Sequence, residues 1–341
     1  MRIVWNLILT GLLVSLLVFN LIGCGEEETT TVEATGGVYI VNGKAQTLSV
    51  LDVGKSDMKN DVLSTGKWPA DIKVAGDKAY VVNTGDNNIQ IIDLNSLKQT
   101  GLINTGDNTG PERIAFGDDN KAYISCLYTN SVKIADVASQ KVTKDIPVGV
   151  GPMGVAVAGK KAYVCNSAYD FASNSYGKGT VSVIDLSTDT VTKNVEVGIN
   201  PLEAVTAGSK VVILCVGNYA DVMGKLYIID STSDTVIKTV DLGTSPSGIA
   251  VSPKNVAYIT TFGGLVSVDI SSGVITHTAE APLTDFAGGS GIAFSKDGKA
   301  YICVADWKGG GNDKVLVMDA SEKLVATYKA GGGASIVAVR D

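Results

Sequence analysis

The sequence predicts an all-β fold, a seven-bladed β-propeller with four antiparallel strands in each blade. Three short motifs support this fold class, because each recurs seven times between residue 37 and residue 341. A repeat of about 40 residues that carries several short strands is typical of a propeller blade. The period continues without a break, which argues against a division of this region into two domains.

The first motif is an apolar strand with a tyrosine near its start, as in Ala79-Tyr80-Val81-Val82. The other copies carry Tyr39, Tyr123, Tyr163, Tyr258 and Tyr301, and Val212 takes the tyrosine position in one copy. These strands are apolar at successive positions, which is the pattern of a strand buried on both faces. We therefore expect them in the interior of each blade.

The second motif is a strand that ends in aspartate, and the third begins with proline and continues into an apolar run. The aspartates are Asp52, Asp93, Asp136, Asp185, Asp230, Asp269 and Asp319. The third motif begins at Pro69, Pro111, Pro152, Pro201 and Pro246, with Gly289 and Ala334 at this position in the last two copies. The segments after each aspartate alternate polar and apolar residues, which suits an outer strand with one wet face.

Each blade is therefore predicted to contain four strands in the order A (proline-led, inner), B (tyrosine), C (ending in aspartate) and D (outer). The chain enters at a B strand, and residues 336–340 at its end match an A strand. We expect this last strand to complete the blade that the first strands begin, which removes the open sheet edge.

The B strands resemble the YVTN family of β-propeller repeats. Asn42, Asn83 and Asn166 complete the Tyr-Val-x-Asn signature of that family, and the resemblance spans residues 37–341. It implies a ring of seven four-stranded blades, which is the architecture that the strand patterns predict. Propellers host many unrelated functions, so the resemblance does not define an activity.

Residues 1–23 are typical of an export signal. Arg2 precedes an uncharged apolar stretch, residues 7–19, which suits a signal-peptide core and is too short to span a bilayer as a helix. Residues 21–24, Leu-Ile-Gly-Cys, resemble the lipobox of bacterial lipoproteins. The resemblance implies cleavage before Cys24 and lipidation of its thiol. A plain secretory signal with a chance cysteine is the alternative.

We therefore expect a lipid-anchored protein of the cell envelope, at the outer membrane or cell surface or otherwise facing the periplasm. Residues 24–36 are predicted to form an acidic flexible tether, because they contain three consecutive glutamates and no apolar cluster. The net charge of −7 argues against nucleic acid as a partner, since phosphate binding needs clustered basic side chains. We expect a monomer that its acyl chains hold to the membrane.

Residue types also restrict the chemistry. The other four cysteines lie in apolar strand patterns and are expected to be buried free thiols, with disulfides as the alternative; they are Cys126, Cys165, Cys215 and Cys303. His277 is the only histidine and lies in an outer-strand pattern, which excludes zinc sites built on several imidazoles and argues against a catalytic triad. No CxxC motif and no phosphate-binding glycine loop is present.

Insertions occur at one end of the predicted propeller. The distance from the tyrosine position to the motif aspartate is 13 residues in the first three blades, but 22, 18 and 18 residues in blades 4, 5 and 7. In an antiparallel meander these B–C loops share a rim with the D–A connections. The candidate ligand-binding residues on these loops and connections are Trp68, Tyr169, Phe171, Tyr176, Tyr219, Asp221 and Trp307.

Long loops on a rigid scaffold commonly carry recognition residues, so we interpret this rim as a binding surface. The alternative is that the loops fold over and plug the channel mouth. We expect Tyr169, Phe171, Tyr219 and Trp307 to surround one concavity near Arg113 and Glu203.

One position on each A strand is expected to face the central channel. The residues at this position are Asp71, Arg113, Gly154, Glu203, Gly248, Gly291 and Ile336. The three charged residues among them predict either a polar binding site or a water-filled channel with paired charges.

The sequence thus predicts a binding protein for a small-molecule ligand or an envelope protein, without a required cofactor and without a catalytic constellation. The alternative is a calcium-dependent hydrolase or lyase at the channel mouth. In that case the oxygen ligands would come from Asp71 and Glu203.

Overall fold

A computed structural model describes residues 36–117, 120–284, 286 and 288–341 of the 341-residue chain. The predicted signal peptide, Cys24 and the tether up to residue 35 lie outside the described residues. The described part contains one short helical turn, Thr84–Asp86. None of its helices is long and apolar enough to cross a membrane.

Seven four-stranded antiparallel sheets form the seven blades, which confirms the predicted fold class. The strands of blades 1 to 3, from A to D, are Ala334–Arg340, Gly37–Asn42, Thr47–Asp52 and Asp57–Ser64; Pro69–Ala75, Lys78–Asn83, Asn88–Asp93 and Lys98–Asn104; Pro111–Phe116, Lys121–Cys126, Ser131–Asp136 and Lys141–Pro147. Those of blades 4 and 5 are Pro152–Ala158, Lys161–Asn166, Lys178–Asp185 and Thr190–Ile199; Pro201–Ala207, Lys210–Cys215, Lys225–Asp230 and Thr235–Asp241. Those of blades 6 and 7 are Pro246–Val251, Val256–Thr261, Gly264–Asp269 and Ile275–His277; Gly289–Phe294, Ala300–Val304, Lys314–Met318 and Leu324–Lys329.

The last strand closes the ring as the sequence predicts. It is the A strand of blade 1 and pairs antiparallel with the first strand of the chain, so that Val339 lies opposite Val38 and Val337 opposite Ile40. The pairing gives the first B strand a neighbour on each side and removes an edge that would otherwise be open.

The hydrophobic core lies between neighbouring blades. Tyr163 and Cys165 of blade 4, for example, pack in one cluster with Val211 and Ile213 of blade 5. The B strands are buried on both faces, which is why they are apolar at successive positions. The four cysteines of the propeller are buried and free, as expected.

The seven motif aspartates stabilise the turns between C and D strands. Asp136 Oδ1 accepts a hydrogen bond from the backbone N–H of Ser139 at 2.6 Å, and Asp319 Oδ1 accepts one from Lys323 at 3.0 Å. The other five aspartates accept equivalent bonds from backbone N–H groups two or three residues on. These carboxylates therefore have a structural role.

Several motif tyrosines connect one blade to the next. Tyr163 of blade 4 donates a hydrogen bond at 2.6 Å to Asp234, in the C–D turn of blade 5. Tyr123 reaches Asp189 of blade 4 in the same way, at 3.2 Å. The repeated residues are thus used by the fold, and the candidate functional residues must be sought among the residues that are not repeated.

The two ends of the propeller differ. We call the end with the B–C loops and D–A connections the loop rim, and the opposite end the turn rim. Six aromatic side chains in the described part of the chain are mostly or half exposed, and all six lie on the loop rim: Trp68, Tyr128, Phe171, Tyr219, Phe262 and Trp307. An aromatic concentration of this kind on one surface is typical of an interaction site.

Candidate functional site

A cavity of about 760 Å³ occupies the central channel and reaches the loop rim. Its wall is formed by the A strands of the blades, and its mouth is lined by Trp68, Trp307 and Lys44. The loops therefore leave the channel open instead of plugging it. A volume of this size is within the usual range of about 300–1,000 Å³ for small-molecule sites.

The charged side of the channel is organised around Arg113. Its Nε donates a hydrogen bond to Glu203 Oε1 at 2.8 Å, and its Nη1 donates to the Ala70 carbonyl at 2.7 Å. Burial alone would lower the pKa of Arg113, but Glu203, Asp71 and Glu112 together raise it above its ordinary value. Arg113 is therefore a permanently charged centre that joins blades 2, 3 and 5.

This pair crosses blade 4, where the corresponding channel position is Gly154. A Cβ atom at Gly154 would lie only 2.7 Å from the Glu203 Cα. The absence of a side chain at Gly154 thus allows the A strands of blades 4 and 5 to approach closely. Without that approach Arg113 of blade 3 would not meet a carboxylate two blades away.

Asp71 is buried and connects blades 2 and 3. Its Oδ1 accepts a hydrogen bond from the N–H of Ile72 at 2.9 Å, and its Oδ2 accepts one from Ile114 at 3.1 Å. Lys73 Nζ lies 3.4 Å from Oδ1. The carboxylate is therefore already satisfied by backbone N–H groups and a lysine.

Glu112, which the sequence did not single out, also lines the channel. Burial raises the pKa of Glu112 to about 7, while Arg113 acts in the opposite direction and Glu203 adds to the rise. Glu112 is thus a carboxyl of the channel that changes its charge near neutral pH.

Glu112→Gln is expected to change the pH dependence of stability. Between pH 4.5, the ordinary pKa of a glutamate, and about pH 7, folded Glu112 keeps a proton that the unfolded chain has released. Stability therefore falls as the pH rises through this interval. Since the pKa rises from 4.5 to about 7 and one pKa unit corresponds to about 1.4 kcal/mol, the variant should be more stable than the parent by about 3 kcal/mol at pH 8 and equally stable at pH 4. Urea unfolding at both pH values measures this, with Glu280→Gln as an exposed control; parallel curves for Glu112→Gln and the parent would contradict it.

Trp68 has an unusual backbone conformation. It directly precedes the A strand of blade 2 and has a φ of 51°. At the same position other blades use residues that adopt positive φ readily, namely Gly110, Gly151, Asn200, Gly288 and Gly333. Trp68 is also 66% exposed. A bulky side chain that is both strained and exposed does not serve the fold, which favours a functional role.

Five other aromatic residues form a contiguous group over blades 3, 4 and 5. The rings of Tyr128 and Phe171 are 6.0 Å apart, and those of Phe171 and Tyr169 are 4.9 Å apart. Tyr176 lies 4.8 Å from Tyr169 and 6.4 Å from Tyr219. The insertion of blade 4 supports this group because Tyr169–Asp170 and Ser175–Tyr176 pair as a short hairpin.

The expectation that four aromatics surround one concavity is therefore wrong. Trp307 lines the channel with Arg113 and Glu203, whereas Tyr169 and Tyr219 line a separate cavity of about 380 Å³. Phe171 lines neither cavity. The physical reason is the distance around the ring, since blades 4 and 5 are neighbours and blade 6 separates them from blade 7. Asp221 also lies outside both linings, and its carboxylate accepts a hydrogen bond from Asn218 Nδ2 at 2.7 Å.

The geometry does not suit calcium at Asp71 and Glu203. The carboxylate of Glu203 faces the Arg113 guanidinium, and that of Asp71 is bound by two backbone N–H groups. A divalent cation would have to displace these donors and lie beside a fixed positive charge. Over the described ranges no group of three or more histidine, cysteine, aspartate or glutamate residues is arranged to hold a metal ion.

Comparisons with known proteins support the fold. No family model and no curated protein matches the chain. The chain is similar in structure to a functionally unknown protein from Desulfotomaculum acetoxidans, with a TM-score of 0.67, 15% identity, and coverage of 89% of this chain and 98% of the other. It is also similar to the hydrazine synthase of Kuenenia stuttgartiensis, with a TM-score of 0.64, 17% identity and coverage of 79% and 88%. Apo AztD from Citrobacter koseri gives a TM-score of 0.59 at 16% identity, with coverage of 89% and 98%. At these identities the likeness concerns the fold alone.

Proposed function

We propose that this protein is a lipid-anchored, YVTN-type propeller of the cell envelope that binds a small organic ligand at its channel mouth. The observation that carries the proposal is the open cavity of about 760 Å³ whose mouth has two tryptophans, both at least 60% exposed, and whose wall contains the partly buried Arg113–Glu203 pair. Exposed aromatic faces supply binding energy to a ring-shaped or apolar ligand, and the charged pair orients its polar groups.

Binding without catalysis is favoured by the state of the channel hydroxyls. Ser247 Oγ donates a hydrogen bond to the Gly289 carbonyl at 2.6 Å, and Ser290 Oγ donates to the Ala334 carbonyl at 3.0 Å. These serines connect neighbouring blades, and the single histidine lies on the outer strand of blade 6. A nucleophile with an adjacent base is therefore not assembled among the described channel residues.

The tryptophans offer a direct assay for the ligand. The chain has three tryptophans, and only Trp68 and Trp307 follow Cys24. Intrinsic fluorescence of the processed protein therefore reports on the channel mouth. We expect a fraction of an envelope extract to change this fluorescence saturably, and Trp68→Phe and Trp307→Phe should each remove part of the change. A compound that binds by calorimetry without altering the fluorescence would place the site elsewhere.

Trp68→Gly is expected to separate binding from folding. Release of the strained backbone is worth about 1 kcal/mol, and the flexibility of glycine costs about as much, so the unfolding free energy should stay within about 1 kcal/mol of the parent. The loss of an aromatic anchor worth about 2 kcal/mol should weaken binding of the ligand found by fluorescence about 30-fold. Calorimetry measures the affinity, and Phe262→Gly, on the same rim but outside the cavity, is the matched control. Equal affinity of Trp68→Gly and the parent would exclude Trp68 from the site.

Cys24→Ser is expected to release the protein from the membrane. The serine cannot form the thioether to the diacylglyceryl group. Because the net charge is −7, no basic surface is expected to hold the protein at the membrane in place of the lipid anchor. Labelling with a fatty-acid analogue and fractionation of cells measure this outcome. A variant that stays labelled and requires detergent for extraction would contradict the lipid anchor.

A further inference from the structure

The second cavity on the loop rim has a composition unlike that of the channel. It has a volume of about 380 Å³ and is lined by the aromatic residues Tyr169, Tyr176 and Tyr219, together with Asn174, Ser175, Ile199 and Asn218. It shares no residue with the channel cavity. A ligand at this position would therefore occupy a site separate from the channel mouth.

The three tyrosine rings surround the space instead of forming a flat platform. Tyr169 and Tyr176 are inclined to each other by 49°, and Tyr176 and Tyr219 by 59°. Burial raises the pKa of Tyr176 and of Tyr219, and the buried side chain of Asn200 opposes that rise at both hydroxyls, so Asn200 lies near the two rings. Tyr219 itself has a φ of 59° and is 61% exposed, so its position costs backbone strain without burying the ring.

No charged residue lines this cavity. Asp221, which is exposed, accepts a hydrogen bond from the lining residue Asn218, so a carboxylate lies next to the lining. The nearby Lys178 is paired with Glu196 at 2.6 Å. Aromatic faces, side-chain amides and an adjacent carboxylate together favour a positively charged ligand and disfavour an anion.

We propose that this cavity binds a compact organic cation of the alkylammonium type. Aromatic rings arranged around a space attract such a cation through their electron-rich faces, and alkyl groups on the nitrogen fill the remaining apolar volume. The group could be free in solution or part of a lipid headgroup. This inference goes beyond the function proposed for the channel mouth and does not depend on it.

The test compares choline with its neutral isostere, in which a carbon atom replaces the ammonium nitrogen. The purified full chain, in a detergent without choline groups, is titrated with each compound and followed by ligand-observed NMR. We expect saturable binding of choline and at least about ten-fold weaker binding of the isostere, since the cation–π attraction requires the charge. Equal binding of both compounds, or no binding of choline to the folded protein, would overturn the proposal.

Three variants locate the site. Tyr219→Leu, which keeps an apolar side chain but removes the ring, should weaken choline binding about ten-fold, whereas Tyr219→Phe should keep it within about three-fold. Trp307→Leu, in the channel mouth, should leave the affinity for choline unchanged. Unchanged affinity in Tyr219→Leu, with a native melting curve, would overturn the assignment to this cavity.

A last arm distinguishes the source of the cation. Phosphatidylcholine vesicles that compete with soluble choline would indicate a lipid headgroup, whereas vesicles without effect would indicate a free small molecule. Tryptophan fluorescence recorded in the same titrations monitors the channel mouth, so a failure at either cavity can be recognised separately.

Discussion

Deletion of residues 332–341 is expected to abolish cooperative folding of the propeller. These residues include the A strand of blade 1, whose backbone pairs with the first strand from Gly37 to Asn42. The deletion exposes that strand edge and opens the apolar cluster in which Val337 packs with Tyr301 and Cys303 of blade 7. Circular dichroism during urea titration measures the loss, and addition of a peptide of residues 332–341 should restore part of the transition.

A point variant tests the same closure with a smaller change. Val337→Asp places a charge in the cluster between blades 7 and 1 and should lower the unfolding free energy by about 3–5 kcal/mol. Leu324→Asp, on the outer strand of blade 7 where the side chain is 52% exposed, is the control and should cost less than about 1 kcal/mol. Equal melting temperatures for the two variants, or a truncated chain that melts like the parent, would show that the last strand does not close the ring.

The fold could be predicted because the same residue type performs the same task in most blades. Asp136 accepts a hydrogen bond in the C–D turn of blade 3, and Asp319 does the same in blade 7. Tyr123 donates a hydrogen bond to blade 4, and Tyr163 donates an equivalent one to blade 5. Such tasks are local or connect adjacent blades, so they leave a periodic pattern in the sequence.

The channel pair could be predicted only in part. Arg113 and Glu203 occupy the A-strand position that the sequence predicted to face the channel, and both line it in the structure. Their mutual hydrogen bond depends on how closely the A strands approach at Gly154, which no periodic pattern expresses. Glu112 was missed because side chains alternate along a strand, so that only one of two neighbours is expected to face the channel, and Arg113 was taken as that one. In the structure Glu112 and Arg113 both line the channel, at the start of a strand that lies beside Thr84 of the preceding blade.

The aromatic loops were found by their length, and this signal has a limit. Tyr128 and Phe262 lie on B–C loops that contain no insertion, so loop length did not indicate them. The division of the long loops into two sites could have been anticipated, since blade 7 is not adjacent to blade 4 or 5. Which aromatic rings contact each other depends on side-chain packing, and this could be read only from the structure.

Arg113→Met is expected to destabilise the propeller strongly. The variant leaves Glu203 and Glu112 in a partly buried site without their cationic partner. Removal of one partner of such a pair typically costs about 3–5 kcal/mol, because the remaining charge is neither hydrated nor paired. Arg340→Met is the control, since Arg340 pairs with the mostly exposed Asp77 and should contribute less than about 1 kcal/mol. Urea unfolding of both variants at pH 8 provides the comparison.

The pH dependence and a double variant identify the cause of that loss. Arg113 lowers the pKa of Glu112, so without Arg113 that pKa should rise further in the folded state, and the destabilisation should develop as the pH increases above the ordinary pKa of a glutamate. The deficit of Arg113→Met should therefore be larger at pH 8 than at pH 5. Arg113→Met combined with Glu203→Leu should recover much of the stability, because removal of both partners leaves no unpaired charge between them. A deficit that is equal at both pH values and persists in the double variant would mean that Arg113 stabilises the channel through packing and its bond to the Ala70 carbonyl, and not through its charge.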